Sequence, residues 1–259
     1  MTTLARRAGF GHDVASIAGR ALRLLPRDGS AYLPAMVAGV FILIINIAAL
    51  GDLPEFVDID IDYESYQLPV GILFAVTGLS RAYALVLDIE GGYLDRLLLS
   101  PISRVAILLG LMVADVVLVA ALSLLVVLVG FVLGVEFTTG VLGVLVFVGL
   151  CALWGLAFAG FPYAIALRTG NPGAVAGSWV LAFPFLLLTT AFVPREAMAD
   201  WLAAVAAWNP MTYVLSGLRS LFVGWDAAEL GKALGGVAVL AAVSMPLAFG
   251  ALASRVRRN

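Results

Sequence analysis

Residues 105–134 read VAILLGLMVADVVLVAALSLLVVLVGFVLG, a run with a single ionisable side chain, Asp115. A helix needs only about 20 such residues to cross the roughly 30 Å hydrocarbon core of a bilayer. The whole chain of 259 residues is 63% hydrophobic and 12% charged, whereas a soluble domain is roughly 45–50% apolar and about 25% charged. The composition therefore excludes an ordinary soluble enzyme and predicts an all-α, polytopic membrane protein.

Six segments share this apolar character and are predicted to cross the membrane as helices. The third and fourth are longer than a perpendicular crossing needs, which a tilt or an extension beyond the lipid accommodates. The predicted spans are residues 31–50, 68–87, 105–134, 141–167, 174–193 and 233–253.

The distribution of Lys and Arg between the loops predicts the orientation of the chain. With the N-terminus in the cytoplasm, eleven of the fifteen basic side chains fall on the inner side and three on the outer side, while Arg81 lies within a span. The first outer loop has six acidic residues and no basic one. Because cytoplasmic loops have an excess of Lys and Arg, we expect both termini to be cytoplasmic in a multi-pass protein of the inner (plasma) membrane.

Residues 1–30 form a separate feature ahead of the six-helix domain, which is assigned to residues 31–259. Their apolar positions recur with helical spacing, and the opposite face has Asp13, Ser16 and three arginines. The apolar face consists of Val14, Ile17, Ala18, Ala21, Leu22 and Leu25. This pattern predicts an amphipathic helix on the inner leaflet; the alternative is a simple topology signal.

Several chemistries lack their residues in this sequence. His12 is the only histidine and Cys151 the only cysteine, so the sequence has no Cys/His cluster for zinc. It has no P-loop either, because the only Gly-Lys pair, Gly231-Lys232, is followed by alanine. We therefore expect this chain to bind no metal, cofactor or nucleotide and to have no enzymatic activity. The net charge of −2 gives no indication of nucleic-acid binding.

The stretch DIEGGYLDRLLLSPISR, residues 88–104, lies on the predicted inner side between the second and third spans. One helical face of it is apolar and consists of Tyr93, Leu94, Leu97 and Leu98. Ser100-Pro101 is expected to end the helix, because proline disfavours helical geometry in the residue before it. The pattern predicts a short amphipathic helix, which either transmits force from a bound partner or only orients the third span.

Two ionisable residues lie inside predicted spans, where an unpaired charge costs about 2.5–3.5 kcal/mol on insertion scales. At about 1.5 Å per residue, Arg81 lies roughly 10 Å and Asp115 on the order of 15 Å from the inner side. We expect the two residues to form an ion pair, directly or through water; alternatively, Arg81 lines a substrate path and contacts an anionic head group. Thr77 and Ser80 either allow close helix packing or line a substrate cavity.

Residues 194–231, between the fifth and sixth spans, are too numerous for a turn and too apolar for an exposed loop. The sequence predicts one short helix up to Trp208, a break at Asn209-Pro210 and a second helix over residues 211–223. Both helices are expected to enter the outer leaflet, with aromatic residues at the interface. The alternative is a hairpin that lies on the membrane without a gating role.

The stretch EGGYLDRLLLSPISR, residues 90–104, resembles the signature E-x-G-T-L-x-R-L-x-x-x-P-[VI]-S-R of ABC-2 type transporter permeases, with Tyr93 in place of threonine. The resemblance extends over roughly residues 65–225 in the family's order, and the branch it is most similar to is typified by daunorubicin exporters. The matching positions are Ala114-Asp115, Phe192-Val193-Pro194, Trp201-Leu202, Asn209-Pro210-Met211-Thr212-Tyr213 and Leu218-Arg219, while Ala199-Asp200 stands where the family commonly has a proline.

The resemblance implies two permease chains, as a homodimer or heterodimer, with two cytoplasmic ATP-binding cassette subunits that hold ATP and Mg²⁺. It implies outward movement of an amphipathic drug, lipid or glycolipid by alternating access. Segment 88–104 is then a coupling helix on the ATPase, and segment 194–231 contains an outer gate. The implied coupling residues are Glu90, Gly92, Tyr93, Asp95, Arg96, Pro101 and Arg104, and the implied gate residues are Trp201, Asn209, Pro210, Tyr213 and Arg219.

Three other functions stay open at this point. Polysaccharide or glycoconjugate export, within the same class, requires a wide channel lined by aromatic side chains. A membrane scaffold binds the ATPase without passing a substrate. A secondary transporter shows gradient-driven flux without any ATPase.

Overall fold

The computed structural model describes residues 9–25, 29–51, 62–77 and 79–258, and all regular structure within these ranges is helical. The first half contains α1 (Phe10–Leu24), α2 (Gly29–Leu50), α3 (Tyr63–Val76), α4 (Ala82–Glu90), α5 (Tyr93–Leu99) and α6 (Arg104–Val132). The second half contains α7 (Gly140–Thr169), α8 (Pro172–Gly177), α9 (Ala182–Leu187), α10 (Asp200–Ala206), α11 (Pro210–Val223) and α12 (Ala227–Arg258). The predicted all-α class is confirmed for these residues.

Within the described residues, four helices are long and apolar enough to cross a membrane. They are Tyr32–Leu50 within α2, Arg104–Val132, Gly140–Thr169 and Ala227–Arg257 within α12. These helices correspond to the first, third, fourth and sixth predicted spans. The chain is therefore a multi-pass membrane protein.

The other two predicted spans are interrupted helices. In the second, α3 ends at Val76 and α4 begins at Ala82, where Thr77 and Ser80 are poor helix formers whose hydroxyls bond nearby groups instead. In the fifth, α8 and α9 are joined by a 3₁₀ turn over Ser178–Leu181, and the chain leaves helical geometry at Leu188. Neither segment is one continuous helix, so the count of six spans stays a prediction.

Helix α7 is the centre of the bundle. It packs against α12 and α6 along much of its length and also contacts α3, α4 and α11. Its large side chains Phe147, Trp154, Phe158 and Tyr163 are fully buried. An almost uniformly apolar helix of this kind buries more than one face, which explains why it contacts so many neighbours.

Close contact between α7 and α12 depends on a small residue at position 160. A Cβ atom on Gly160 would lie 2.7 Å from the backbone C and O atoms of Ser244. The Ser244 hydroxyl also donates to the carbonyl oxygen of Ala157. Small residues and hydroxyl groups are the usual means by which membrane helices approach each other closely.

Helix α1 packs along the first half of α6. Ile17, Ala18 and Ala21 of its apolar face are buried, and Ile17 lies against Gly110. Asp13, which the sequence places on the polar face, is 7% exposed because it lies against the loop after α5 and accepts from the N–H of Ser103. Residues 1–8 and 26–28 of the predicted amphipathic segment, and residues 52–61 of the acidic outer loop, lie outside the described residues.

The region between the fifth and sixth predicted spans contains two short helices, α10 and α11, separated at Asn209. A 3₁₀ turn at Arg195–Ala197 precedes them. The last long helix begins at Ala227, six residues before the predicted start of the sixth span. Its first residues pack against α11 through Gly217 and Ala233.

Candidate functional site

A tight turn connects α4 to the short helix α5. Gly92 has φ +66°, a left-handed conformation that glycine adopts without the steric cost of a Cβ atom. Helix α5 then runs from Tyr93 to Leu99, and the Ser100 hydroxyl donates to the carbonyl oxygen of Leu97 at 2.6 Å. The observed helix end coincides with the Ser100-Pro101 stop expected from the sequence.

Helix α5 has one buried face and one exposed face. Leu94 is 1% exposed, whereas Leu99 is 89% exposed. Tyr93 and Asp95 are half-buried. The side chains exposed between residues 90 and 104 define what we call the 90–104 surface: Glu90, Arg96, Leu99, Pro101 and Arg104.

Arg20 of α1 joins this segment to the N-terminal helix. Its two terminal nitrogens donate to both carboxylate oxygens of Asp88, each at 3.0 Å. Its guanidinium carbon lies 3.8 Å from the centroid of the Tyr93 ring. The hydrogen bonds from Arg20 to Asp88 raise the pKa of the guanidinium. One side chain therefore links α1 to the end of α4 and the start of α5 by a bidentate ion pair and a cation–π contact.

A second contact links α1 to the loop after α5. The Asp13 carboxylate accepts a long hydrogen bond, 3.4 Å, from the backbone N–H of Ser103. A cavity of about 370 Å³ lies beside it, lined by Phe10, Leu98 and residues 100–104. The N-terminal helix thus contacts both ends of segment 88–104.

We expect the Arg20–Asp88 pair to show measurable coupling in a double-mutant cycle. Arg20→Gln and Asp88→Asn should each lower thermal stability in detergent, and the double variant should lose less than their sum. The expected coupling is only about 0.5–1 kcal/mol, because both side chains keep contact with water, which screens the charges. Arg23→Gln is the matched control, since Arg23 is exposed and bonds only within its own helix. Additive losses would contradict the linkage.

Sequence reasoning identified neither Arg20 nor Leu99 as a site residue. Arg20 is 68 positions from Asp88, and no local pattern indicates a pair at that separation. The sequence indicates the exposure of Leu99 only indirectly, because Leu94, Leu97 and Leu98 already make up the apolar face of the helix. A further leucine must then lie outside that face.

Buried polar side chains surround the interruption between α3 and α4. Thr77 Oγ1 accepts from Trp154 Nε1 at 2.9 Å. Asp115 Oδ1 accepts from the backbone N–H of Arg81 at 2.8 Å, and Asp115 Oδ2 accepts from the Tyr163 hydroxyl at 2.7 Å. All five residues are buried. Side chains of α6 and α7 thus bond Thr77 and the backbone N–H of Arg81 at the two ends of the interruption.

The structure brings Arg81 and Asp115 together. The backbone N–H of Arg81 donates to Asp115 Oδ1. An ion pair between the two side chains, and a place for Arg81 on a substrate path, stay predictions. The Ser80 hydroxyl accepts from the N–H of Ala82 at 3.3 Å. Thr77, at the α3 end of the interruption, therefore bonds Trp154, and Ser80, near the α4 end, bonds the backbone of Ala82. A role for Thr77 and Ser80 in lining a substrate cavity stays a prediction.

On the predicted outer side, Asn209 joins two helix ends. Its Nδ2 lies 3.1, 3.2 and 2.9 Å from the carbonyl oxygens of Pro184, Phe185 and Leu188, at the end of α9. Its Oδ1 accepts from the N–H of Met211 at 3.0 Å, so the same side chain caps α11. Pro210 follows at the first helical position, where its missing N–H costs nothing.

The two roles of Asn209 can be separated by substitution. Asn209→Asp keeps the cap on Met211 but has no donor for the three carbonyl oxygens, while Asn209→Ala loses both. We expect each variant to lose about 1–3 kcal/mol, the usual cost of buried unsatisfied acceptors. Aspartate should be no better than alanine, although the two amino acids Asn and Asp are equivalent as caps. Thermal unfolding checks this, and wild-type stability of Asn209→Asp would contradict it.

The other predicted gate residues divide into two groups. Arg219 donates to the carbonyl oxygen of Tyr66 at 3.1 Å and to Thr190 Oγ1 at 3.3 Å, and its guanidinium lies 3.4 Å from the Tyr66 ring centroid. The Tyr213 hydroxyl donates to the carbonyl oxygen of Ala207 at 2.7 Å. Trp201, in contrast, is 66% exposed. Arg219 and Tyr213 thus fix the position of α11, while the Trp201 side chain is exposed.

A cavity of about 500 Å³ opens beside Arg219. Its lining combines the aromatic side chains of Tyr66 and Phe222 with the charged side chains of Asp62, Glu136 and Arg219. Among the described residues, no group of three or more His, Cys, Asp or Glu side chains is placed to hold a metal ion. The cavity therefore presents both apolar and charged groups to a ligand.

Comparison with known proteins shows matches along most of the chain. Residues 13–223 match the family described as ABC-2 type transporter. The probable doxorubicin resistance ABC transporter permease protein DrrC of Mycobacterium tuberculosis is 25% identical over 235 residues, covering 88% of this chain and 85% of that protein. The daunorubicin resistance ABC transporter permease protein DrrB1 of Streptomyces coeruleorubidus is 28% identical over 201 residues, covering 74% and 71%. The putative transport permease ycf38 of Pyropia yezoensis is 31% identical over 174 residues, covering 61% and 56%.

Proposed function

Because this chain belongs to the ABC-2 type transporter family and is the membrane permease subunit of an ATP-binding cassette exporter, we propose that it moves an amphipathic molecule outward by alternating access. The observation on which this rests is the extent of the family match, which includes both the 90–104 surface and the outer hairpin of α10 and α11. The chain thus has the inner and outer elements that such a cycle needs.

Permeases of this family work with an ATP-binding cassette ATPase. We propose that ATP and Mg²⁺ bind on that partner and that the 90–104 surface docks on it. An almost fully exposed leucine beside Arg96 supports this, since an apolar contact surrounded by charged groups is the usual composition of a protein interface. Gly92, Tyr93 and Asp95 then set the position of the helix that presents these residues.

The substrate we propose is an amphipathic drug, with a lipid or glycolipid as alternatives. Two relatives are named for resistance to doxorubicin and daunorubicin. The cavity beside Arg219 supports an amphipathic substrate, because its lining has both aromatic and charged side chains. A ligand with an apolar body and a charged group can contact both kinds of side chain there.

We further propose that the protein sits in the inner membrane with both termini cytoplasmic and works as a dimer, with a second copy of this chain as the expected partner. In this arrangement the two interrupted segments complete a six-span domain. The count of basic residues supports the orientation, and the short apolar helices of Pro172–Leu187 are long enough to reach well into the bilayer.

Substrate-stimulated ATP hydrolysis in reconstituted vesicles tests the proposal. The chain is reconstituted with its ATPase subunit. ATP hydrolysis is then measured without additive and with daunorubicin, with added phospholipid or with a glycolipid. Stimulation by one of these substrates supports export. Formation of a stable complex whose hydrolysis responds to none of them would instead indicate a membrane scaffold for the ATPase and overturn the proposal.

A further inference from the structure

The interruption of the second predicted span divides it into two helices with different surroundings. The outer half, α3, packs mainly against α2 and α6 and also contacts α7 and α11, whereas the inner half, α4, packs against α7 and α8 and leads directly into α5. Gly71 of α3 lies so close to α2 that a Cβ atom there would be 2.8 Å from Leu43 Cβ. The two halves therefore share α7 as a neighbour and differ in their other contacts.

Each end of the interruption has its own anchor. On the side of α3, Thr77 accepts the indole hydrogen bond of Trp154. On the side of α4, Asp115 accepts the backbone N–H of Arg81, the N-cap residue of that helix. These anchors come from α6 and α7, both of which run uninterrupted through this level.

Asp115 is suited to hold the start of a helix. A carboxylate is stabilised near a helix N-terminus, where the backbone N–H groups lack partners and the helix dipole is positive. Its second oxygen accepts from the Tyr163 hydroxyl, which fixes the direction of the carboxylate. Asp115 is 1% exposed and Tyr163 is fully buried, so water does not compete for these bonds.

The inner half-helix is also tied to the 90–104 surface. Helix α4 ends at Glu90, and the turn at Gly91-Gly92 leads into α5. Arg20 binds Asp88 of α4 and stacks on Tyr93 of α5, which holds the two helices in a fixed relation. A displacement of α5 would reach α4 through these contacts, and the interruption between α3 and α4 lies at the other end of α4.

We propose that Asp115 is a positioning residue that latches the N-terminus of α4, so that α4 and α5 turn as one unit about the interruption while α3 stays with α2. The latch is a property of this chain alone. Its use in transmitting the movement of an ATPase rests on the proposed function.

Distance measurements between spin labels test the latch. In a Cys151→Ala background, labels are placed at Tyr83 of α4 and Phe41 of α2, both exposed. The control pair is Phe41 and Val117, on α2 and α6. Labelled chain is diluted with unlabelled chain so that only distances within one copy are measured.

In the chain without ATPase, we expect a narrow distance distribution across the interruption. Asp115→Leu removes both acceptor oxygens, keeps the number of side-chain non-hydrogen atoms and should broaden this distribution, but not that of the control pair. Thr77→Val, the matched loss of a buried hydrogen bond on the α3 side, should leave the Tyr83–Phe41 distribution narrow. An unchanged distribution in Asp115→Leu overturns the latch. If that variant does not insert, Tyr163→Phe, which removes one of the two bonds, must broaden the distribution; otherwise the latch is overturned.

In the complex with its ATPase, trapping with nucleotide should shift the Tyr83–Phe41 distance and leave the control distance unchanged. In Asp115→Leu, ATP hydrolysis should persist while its stimulation by substrate is lost. If the chain alone shows the latch but the Tyr83–Phe41 distance does not shift on trapping, the proposal that the latch transmits the movement of the ATPase is overturned. Failure to form any complex with an ATPase contradicts the proposed function and not the latch.

Discussion

A negative charge on the 90–104 surface, introduced by Arg96→Glu or by Leu99→Glu, is expected to reduce binding of the ATPase subunit at least tenfold, which corresponds to about 1.4 kcal/mol. Both side chains are exposed in the chain alone, so neither substitution removes a core contact. A glutamate in place of Leu99 puts a charge where the docked state needs an apolar contact. Affinity purification of the tagged permease with its ATPase measures the effect.

The control for this experiment is a charge reversal elsewhere on the predicted inner side. Arg257→Glu changes an exposed arginine near the end of α12 and should leave ATPase binding unchanged. All three variants should reach the membrane in wild-type amounts. Full ATPase binding by both Arg96→Glu and Leu99→Glu would show that the partner docks elsewhere.

Gly160→Leu is expected to abolish accumulation of the folded chain. A Cβ atom there would already lie 2.7 Å from the backbone of Ser244, and backbone atoms cannot turn aside as a flexible side chain can. Helices α7 and α12 must then separate along a contact that is among the most extensive in the bundle. The expected loss exceeds the roughly 1–3 kcal/mol usual for overpacking. Size-exclusion chromatography of a fluorescent fusion in detergent measures it.

The same helix provides the matched control. Gly149 also lies in α7, but a Cβ atom there would meet nothing within 4 Å. Gly149→Leu should therefore give a monodisperse protein with wild-type yield, because it adds an apolar side chain on an open face. Equal behaviour of the two variants would contradict the close approach of α7 and α12.

The features that were predictable from the sequence are those with a local cause. The end of α5 follows from Ser100-Pro101, and the break before α11 follows from Asn209-Pro210, because proline restricts the residue before it. The long helices follow from apolar runs that need no partner to be recognised. The family signature at residues 90–104 identified the segment that presents Arg96.

The features that were missed depend on contacts between distant parts of the chain. The second span looked continuous because residues 68–87 are apolar, and its interruption is stabilised by Trp154 and Asp115, which lie on other helices. Tyr163 bonds Asp115 across 48 positions, and neither residue has a sequence pattern that indicates the other. Asn209 was expected at a break, but its bonds to the end of α9 required knowledge of how the two segments meet.

ATP-driven uptake of daunorubicin into inside-out vesicles tests whether this chain exports a substrate with energy from a separate ATPase. Vesicles that contain this chain and its ATPase are compared with vesicles that contain the chain alone, each with ATP or with an imposed ion gradient. We expect uphill uptake of daunorubicin only where the ATPase and ATP are both present. Uphill uptake by the chain alone, driven by the ion gradient, would contradict it.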